Sequence, residues 1–201
     1  SKLNVDEASL VIKSIANACK SSDCVLLGGE TAEMPGHYVD DNFDLAGFSV
    51  GCVEKKKVLK KDDVVEDDIL IGIESSGPHS NGFSLIRSIL SKSKKTEEEK
   101  EKIALKALKP TLLYPKLVGS ITKQYKIKSI SHITGGGLTE NLPRSIPESL
   151  SVEIDTQSWQ ITNVFNWLKE EGNITNSDMF RIFNCGIGMV LIVDKKDEKD
   201  I

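Results

Sequence analysis

Aromatic residues make up only 5% of this sequence, and its four cysteines (Cys19, Cys24, Cys52 and Cys185) never fall into the CxxC pairs that a zinc site uses. A structural zinc module is therefore not expected. No apolar stretch approaches the roughly 20 residues needed to cross a bilayer, and the start has no signal-peptide pattern, so a membrane is not an expected partner either. Charge of one sign is also missing: the formal net charge of -4 is spread along the chain. Between Lys92 and Lys106 the lysines mostly alternate with carboxylates, leaving no basic face for a nucleic acid. Three of the cysteines lie inside apolar runs, as buried thiols usually do. Free thiols and a reducing, cytoplasmic compartment are the expectation.

What the chain does have is material for a core: 39% of its 201 residues are hydrophobic and 28% are charged. It starts directly in a helical pattern, which predicts that sequence precedes it. Asn4 offers an amide cap, Glu7 follows three residues later, and Ala8, Val11, Ile12, Ile15 and Cys19 recur at helical spacing. Cys24 to Leu27 reads as a buried strand running into Gly28-Gly29. Asp44 to Glu54 reads as a second strand, with Ala46, Phe48, Val50 and Cys52 on one face and small residues on the other. The charged stretch Glu54 to Asp68 is a connector, and a domain boundary is placed near Lys60, giving units of residues 1–59 and 60–201.

Beyond the boundary, a pattern of strand, glycine-bearing loop and helix occurs twice. Ile69 to Ile73 leads through residues 74–82 into a helix carrying Phe83, Ile86, Ile89 and Leu90; Ser129 to Ile133 leads through Thr134-Gly-Gly-Gly137 into a helix over Leu138 to Ser145. Between them lie Lys92 to Lys102, read as a solvated turn and helix start, and a helix opening at Pro115. A short strand at Val152 to Ile154, a helix capped by Thr162 and a final apolar strand from Gly188 to Val193 follow. The alternation predicts an α/β or α+β layered domain.

Three loops have the composition of working sites. In Gly28-Gly-Glu-Thr-Ala-Glu-Met-Pro-Gly36, paired glycines permit close backbone approach, and Glu30 and Glu33 are carboxylates suited to Mg²⁺ carried by nucleotide phosphates. The bland alternative is a turn with solvated acids. Ser75-Ser-Gly-Pro-His-Ser-Asn-Gly82 gathers three hydroxyls, an imidazole and an amide before a helix N-terminus, where phosphate or a developing oxyanion is favoured and His79 can carry a proton. Capping serines in a Gly-Pro turn would explain some of these residues, but not the whole set. Thr134-Gly135-Gly136-Gly137 leaves backbone amides for an anion but lacks the lysine of a Walker loop. His132 reads as a strand-end histidine, and His37, beside Tyr38 and an acidic patch, as an exposed loop residue. Trp159 and Trp167 read as core, and Asn184-Cys-Gly-Ile-Gly188 as a turn entering the last strand.

Taken together, GGETAEMPG, DLAGFSVG, SSGPHSNGFSLIR, HITGGGLTENLPR and FNCGIGM stand in the order in which they occur in the aminoimidazole ribonucleotide synthetase family, and the chain resembles the carboxy-terminal two-thirds of such an enzyme. The resemblance implies two α/β domains. Residues 1–59 would end an amino-terminal domain that pairs into a shared barrel in a homodimer, and residues 60–201 would form most of a carboxy-terminal domain with a mixed sheet and flanking helices. It implies ATP-dependent cyclisation of formylglycinamidine ribonucleotide to aminoimidazole ribonucleotide through an iminophosphate, with Mg²⁺ as cofactor. The nucleotide side falls to Gly28, Gly29, Glu30 and Thr31, with Glu30 on the metal. Substrate activation falls to His79 and Asn81 as catalytic groups, substrate contacts to Ser75, Ser76, Gly77 and Ser80, and the ribose phosphate to Thr134, Gly135, Gly136 and Gly137. The family's glycine-rich amino-terminal segment and its Asp-Gly-Val-Gly-Thr-Lys type motif are absent from these residues, so the chain alone is expected to be inactive. A sister ATP-using enzyme of the same superfamily and a non-catalytic fragment are the alternatives.

Overall fold

The computed structural model describes residues 3–39 and 42–201; the acidic pair that follows Tyr38 and Val39 lies outside the described residues. The chain clusters into two compact units, one of Ser1–Val58 with Leu113–Gly119 and one of Leu59–Leu112 with Ser120–Ile201.

The first unit is organised by helix α1, Val5–Ser21. Its start is fixed by Asn4, whose side-chain oxygen accepts from the amides of Asp6 and Glu7, two of the donors that a helix N-terminus leaves unpaired. The strands expected at Cys24 to Leu27 and Asp44 to Glu54 do not form: neither segment is in a β-ladder, and Leu27, Phe48 and Val50 are 94%, 99% and 99% exposed. An alternating pattern specifies which face a strand would bury, but a strand exists only when a neighbour takes its backbone hydrogen bonds, and the described residues supply none. Cys24 and Cys52 are exposed and Cys19 is half-buried, so only Cys185 follows the expectation of burial.

The second unit holds the sheet. Strands β1 (Ile69–Glu74), β2 (Ile127–His132) and β3 (Ile187–Val193) lie in the order β1-β3-β2. Both ladders are antiparallel, pairing Ile71 with Leu191 and Ile130 with the same Leu191. The expected mixed sheet is thereby corrected: β1 and β2 run parallel to one another, but the last strand in sequence separates them, so no parallel ladder forms among the described residues. β3 takes the centre because its run of Ile, Met, Val and Leu is apolar on both faces, and residues 190–193 are all buried. The short strand expected at Val152 to Ile154 is irregular backbone.

Helices α2 (Phe83–Lys92), α3 (Glu97–Ala107), α4 (Pro115–Gln124), α5 (Gly137–Asn141), α6 (Asn163–Glu171) and α7 (Asn176–Ile182) complete the chain. α3 starts in a full capping box between Thr96 and Glu99, the helix start expected within the Lys92 to Lys102 insert. Thr162 occupies the N-cap of α6, although its side chain makes no capping bond. Ile86 and Ile89 of α2, Ala107 of α3, Val164, Phe165 and Leu168 of α6, and Met179 of α7 pack into one apolar cluster with Phe183 and Cys185. Val190 and Ile192 lie two apart on one face of β3; Val190 joins Ile133, Leu138, Leu142 and Ile187, and Ile192 joins Val64 and Ile146.

Among the described residues, one ion pair is buried. Lys128 of β2 reaches Asp68, with side chains 9% and 5% exposed, and Asp68 also accepts the amide of Val65. Removing one member of such a pair leaves the other charge without compensation, which costs about 3–5 kcal/mol. Lys128→Met is therefore expected to lower the unfolding free energy measured in urea by about that amount, and Asp68→Asn with Lys128→Met to recover most of it. A single-variant loss below about 1 kcal/mol would mean that water reaches the pair.

Candidate functional site

The sheet order decides where the glycine loops go. Glu74, the last residue of β1, pairs with Ile187 at the start of β3, and His132, the last residue of β2, pairs with Met189. The loops leaving β1 and β2 and the segment entering β3 therefore meet at one edge of the sheet. β3 and the residue before it bind both loops directly: Ser75 N–H donates to Gly186 O at 2.8 Å and Ile133 N–H to Gly188 O of β3 at 2.9 Å. The loops also touch each other, since a Cβ on Gly135 would lie 3.5 Å from Asn81 Oδ1.

Two buried carboxamides hold this edge. Asn184, 2% exposed, accepts from Ser75 Oγ at 3.0 Å and from Gly186 N–H at 3.0 Å, and donates to Gly77 O at 2.8 Å. Asn141, at the end of α5, donates to Gly135 O at 3.1 Å and Gly137 O at 2.8 Å, with a longer contact to Thr134 O. Because a peptide is planar and trans, turning the Thr134 and Gly135 carbonyls towards Asn141 turns the amides of Gly135 and Gly136 the opposite way. Gly136 and Gly137 have φ of +95° and +57°, and a Cβ on Gly137 would lie 2.6 Å from Phe183 O. Glycine is required there both by conformation and by space.

The loop between β1 and α2 is wound tightly. His79 and Ser80 both adopt left-handed φ, +52° and +58°, a conformation costing roughly 1–2 kcal/mol at a non-glycine residue. Asn81 braces it, its Nδ2 donating to His79 O at 2.7 Å and its amide to Pro78 O at 3.1 Å. The His79 ring is buried, and its Nε2 faces the amides of Ser76 at 3.0 Å and Leu112 at 3.3 Å. Burial holds its pKa below the ordinary histidine range, and the positive form of His132 adds to that effect.

The hydroxyls in the loop divide by role. Ser75 donates to Asn184, and Ser76 Oγ donates to Pro110 O at 2.6 Å, so both are committed to the scaffold, while Ser80 is exposed. Thr134 and Gly135 to Gly137 stand across from Asn81 in the second loop. Gly28, Gly29, Glu30 and Thr31 belong to the other unit; they are exposed, and a Cβ at either glycine would meet nothing within 4 Å. No group of three His, Cys, Asp or Glu side chains among the described residues is arranged to hold a metal ion. Glu30 alone is one carboxylate of the kind a Mg²⁺–nucleotide complex recruits, and does not make a site by itself.

Asn141 and Asn184 were not marked by motif reading. The available signal was weak: each is a single amide in a segment otherwise rich in apolar and small residues, which predicts burial with full hydrogen bonding. Leu112 carried no signal, because it contributes only its backbone amide.

Residues 65–201 match the family model for the carboxy-terminal domain of AIR synthase related proteins, and the chain belongs to that family. It is 45% identical over 199 residues to proteins named phosphoribosylformylglycinamidine cyclo-ligase from Burkholderia multivorans, Burkholderia ambifaria and Burkholderia cenocepacia. The match covers 98% of this chain and 57% of each relative, so the chain spans little more than half the length of those proteins.

Asn184→Ala would strip partners from Ser75 Oγ, Gly186 N–H and Gly77 O together. It is expected to cost about 3 kcal/mol in urea unfolding, in line with about 1–3 kcal/mol for a buried unsatisfied group, and a loss under about 1 kcal/mol would show that water replaces the amide. Cys185 is fully buried and its thiol is pushed up to about 12 by desolvation. At pH 8 a thiol reagent should label the exposed Cys24 and Cys52 and reach Cys185 only after denaturant is added; rapid labelling of Cys185 in the folded protein would show that the segment before β3 opens.

Proposed function

We propose that the protein carrying this chain is an ATP-dependent cyclo-ligase of purine biosynthesis, closing formylglycinamidine ribonucleotide to aminoimidazole ribonucleotide with release of ADP and phosphate. The supporting observation is the pair of glycine loops brought to one sheet edge, in a chain 45% identical to proteins named for that activity. In the proposed reaction, the formyl oxygen of the substrate takes the γ-phosphoryl group of ATP, and the amidine nitrogen then attacks the same carbon. The ring C–N bond forms, and the C–O bond breaks with phosphate leaving.

In this reading the amides of Gly135 and Gly136, turned away from Asn141, receive the ribose phosphate together with Thr134 and Gly137. Ser80 and Asn81 stand opposite them to orient the reacting amide. Ser75, Ser76 and Gly77 shape the loop that presents these two residues, with His79 at its centre. Gly28, Gly29, Glu30 and Thr31 serve ATP and its Mg²⁺. Residues 1–59 belong to an amino-terminal domain and residues 60–201 to a carboxy-terminal one. The open apolar residues of the first unit, Phe48 and Val50 among them, suit pairing between two copies in a homodimer. No helix among the described residues is long and apolar enough to cross a membrane, and a cytoplasmic enzyme acting on a soluble metabolite fits this reading.

The test is a product assay on the complete enzyme with formylglycinamidine ribonucleotide, ATP and Mg²⁺, quantifying ADP and aminoimidazole ribonucleotide together. Equal amounts of the two are expected. ADP without the imidazole, or no turnover by a folded enzyme, would overturn the assignment and point to a sister ATP-using activity.

A further inference from the structure

The sequence makes His79 the natural proton carrier of the site, but its surroundings assign it different work. We infer that His79 acts as a neutral hydrogen-bond acceptor that latches the Ser75–Gly82 loop to the segment Pro110–Leu112, and is a positioning residue. The claim concerns the same site as the proposed cyclo-ligase activity, and only its kinetic test rests on that reading.

The argument begins at Nε2. Two backbone N–H groups point at this atom, Ser76 at 3.0 Å and Leu112 at 3.3 Å, and an N–H can only donate. The third neighbour, Ser76 Oγ, lies 2.9 Å away and has a single proton, which is placed to reach Pro110 O at 2.6 Å. A proton on Nε2 would confront both amides, so the ring's own hydrogen belongs on Nδ1 and Nε2 offers its lone pair. The two donors lie 36 positions apart in sequence, one within the loop and one in the irregular segment after α3. One lone-pair atom thus ties both to the ring, while Ser76 adds a second tie to the same segment through Pro110. Burial of the ring in this donor-rich setting favours the uncharged form, the one in which Nε2 accepts.

The backbone supports the same role. His79 and Ser80 sit at left-handed φ, and neither would hold that conformation unless its surroundings fixed it. Releasing the latch lets the loop relax, moving Ser80 and Asn81 away from Gly135 without removing any group that touches substrate.

A proton carrier and an acceptor respond differently to glutamine, which does not titrate but carries an amide oxygen that extends towards the Nε2 position. Asparagine tolerates the left-handed backbone yet is too short, so it separates backbone strain from acceptor loss. In the complete enzyme, His79→Gln is expected to keep kcat within about threefold of the parent, while His79→Ala and His79→Asn lose about 10- to 100-fold in kcat/KM. A loss of about 10²- to 10⁴-fold in kcat for His79→Gln, matching His79→Ala in a variant with unchanged thermal midpoint, would identify a proton carrier and overturn the inference. A second measurement needs no turnover: ¹⁵N shifts of the imidazole at pH 7 should report a neutral ring protonated at Nδ1. An Nε2–H or cationic ring would sink the latch, even if the glutamine variant failed to fold. If the parent enzyme makes no aminoimidazole ribonucleotide, the functional reading fails while the ¹⁵N result still decides the role of His79.

Discussion

Everything at the candidate site depends on β3 lying between β1 and β2 and antiparallel to both. This arrangement brings the carboxy-terminal ends of two strands and the amino-terminal end of a third to the same edge, so that three segments distant in sequence become neighbours. A parallel, side-by-side placement of β1 and β2 would also put their loops at one edge, but would leave Asn184 out of reach of Ser75 and Gly77. The apolar composition of β3 is thus the thermodynamic reason for its central position and, indirectly, the reason a buried amide can organise the first loop.

Glycine loops that approach a ligand through their backbone have an accounting problem. Each peptide that presents its N–H outward turns the carbonyl of the preceding residue inward, where an unmet acceptor is costly. Asn141 solves this for the second loop and Asn184 for the first, each with an Nδ2 donor, and the Oδ1 of Asn184 collects donors in addition. A leucine has the same branching but no amide, and would take the Nδ2 donor away from these carbonyls. The polar side chains are therefore the structural counterpart of the glycines, and both follow from using the backbone as a binding surface.

Much of the second unit was legible in the sequence, because its signals are local. The strands at Ile69, Ile127 and Ile187 and the loops between them depend on neighbouring residues and appear close to where the pattern places them, as do the helix starts at Asn4 and Pro115 in the first unit. Strand order was not legible, since nothing in Ile69 to Glu74 states which strand will accept its hydrogen bonds. The apolar run ending at Leu27 and the alternating segment around Phe48 show the same limit from the other side: each has a strand pattern, but a ladder requires a second strand. Among the described residues both segments are exposed and neither is in a ladder.

The site was legible as a set of loops and much less so as a set of roles. Residue type suggests what a side chain can do, whereas its neighbours decide which capacity is used. Ser75, Ser76 and Ser80 are chemically identical in the sequence, yet the first two spend their hydroxyl protons on Asn184 and Pro110, and only the third faces solvent. A histidine in a glycine loop suggests proton transfer for the same statistical reason, because its ordinary pKa lies near neutrality. That capacity requires a ring free to exchange its proton, and two amides aimed at one nitrogen remove the freedom. Where a loop must hold a left-handed turn against relaxation, a buried neutral imidazole is well suited to the task, being rigid, flat and long enough for one atom to join two stretches of backbone.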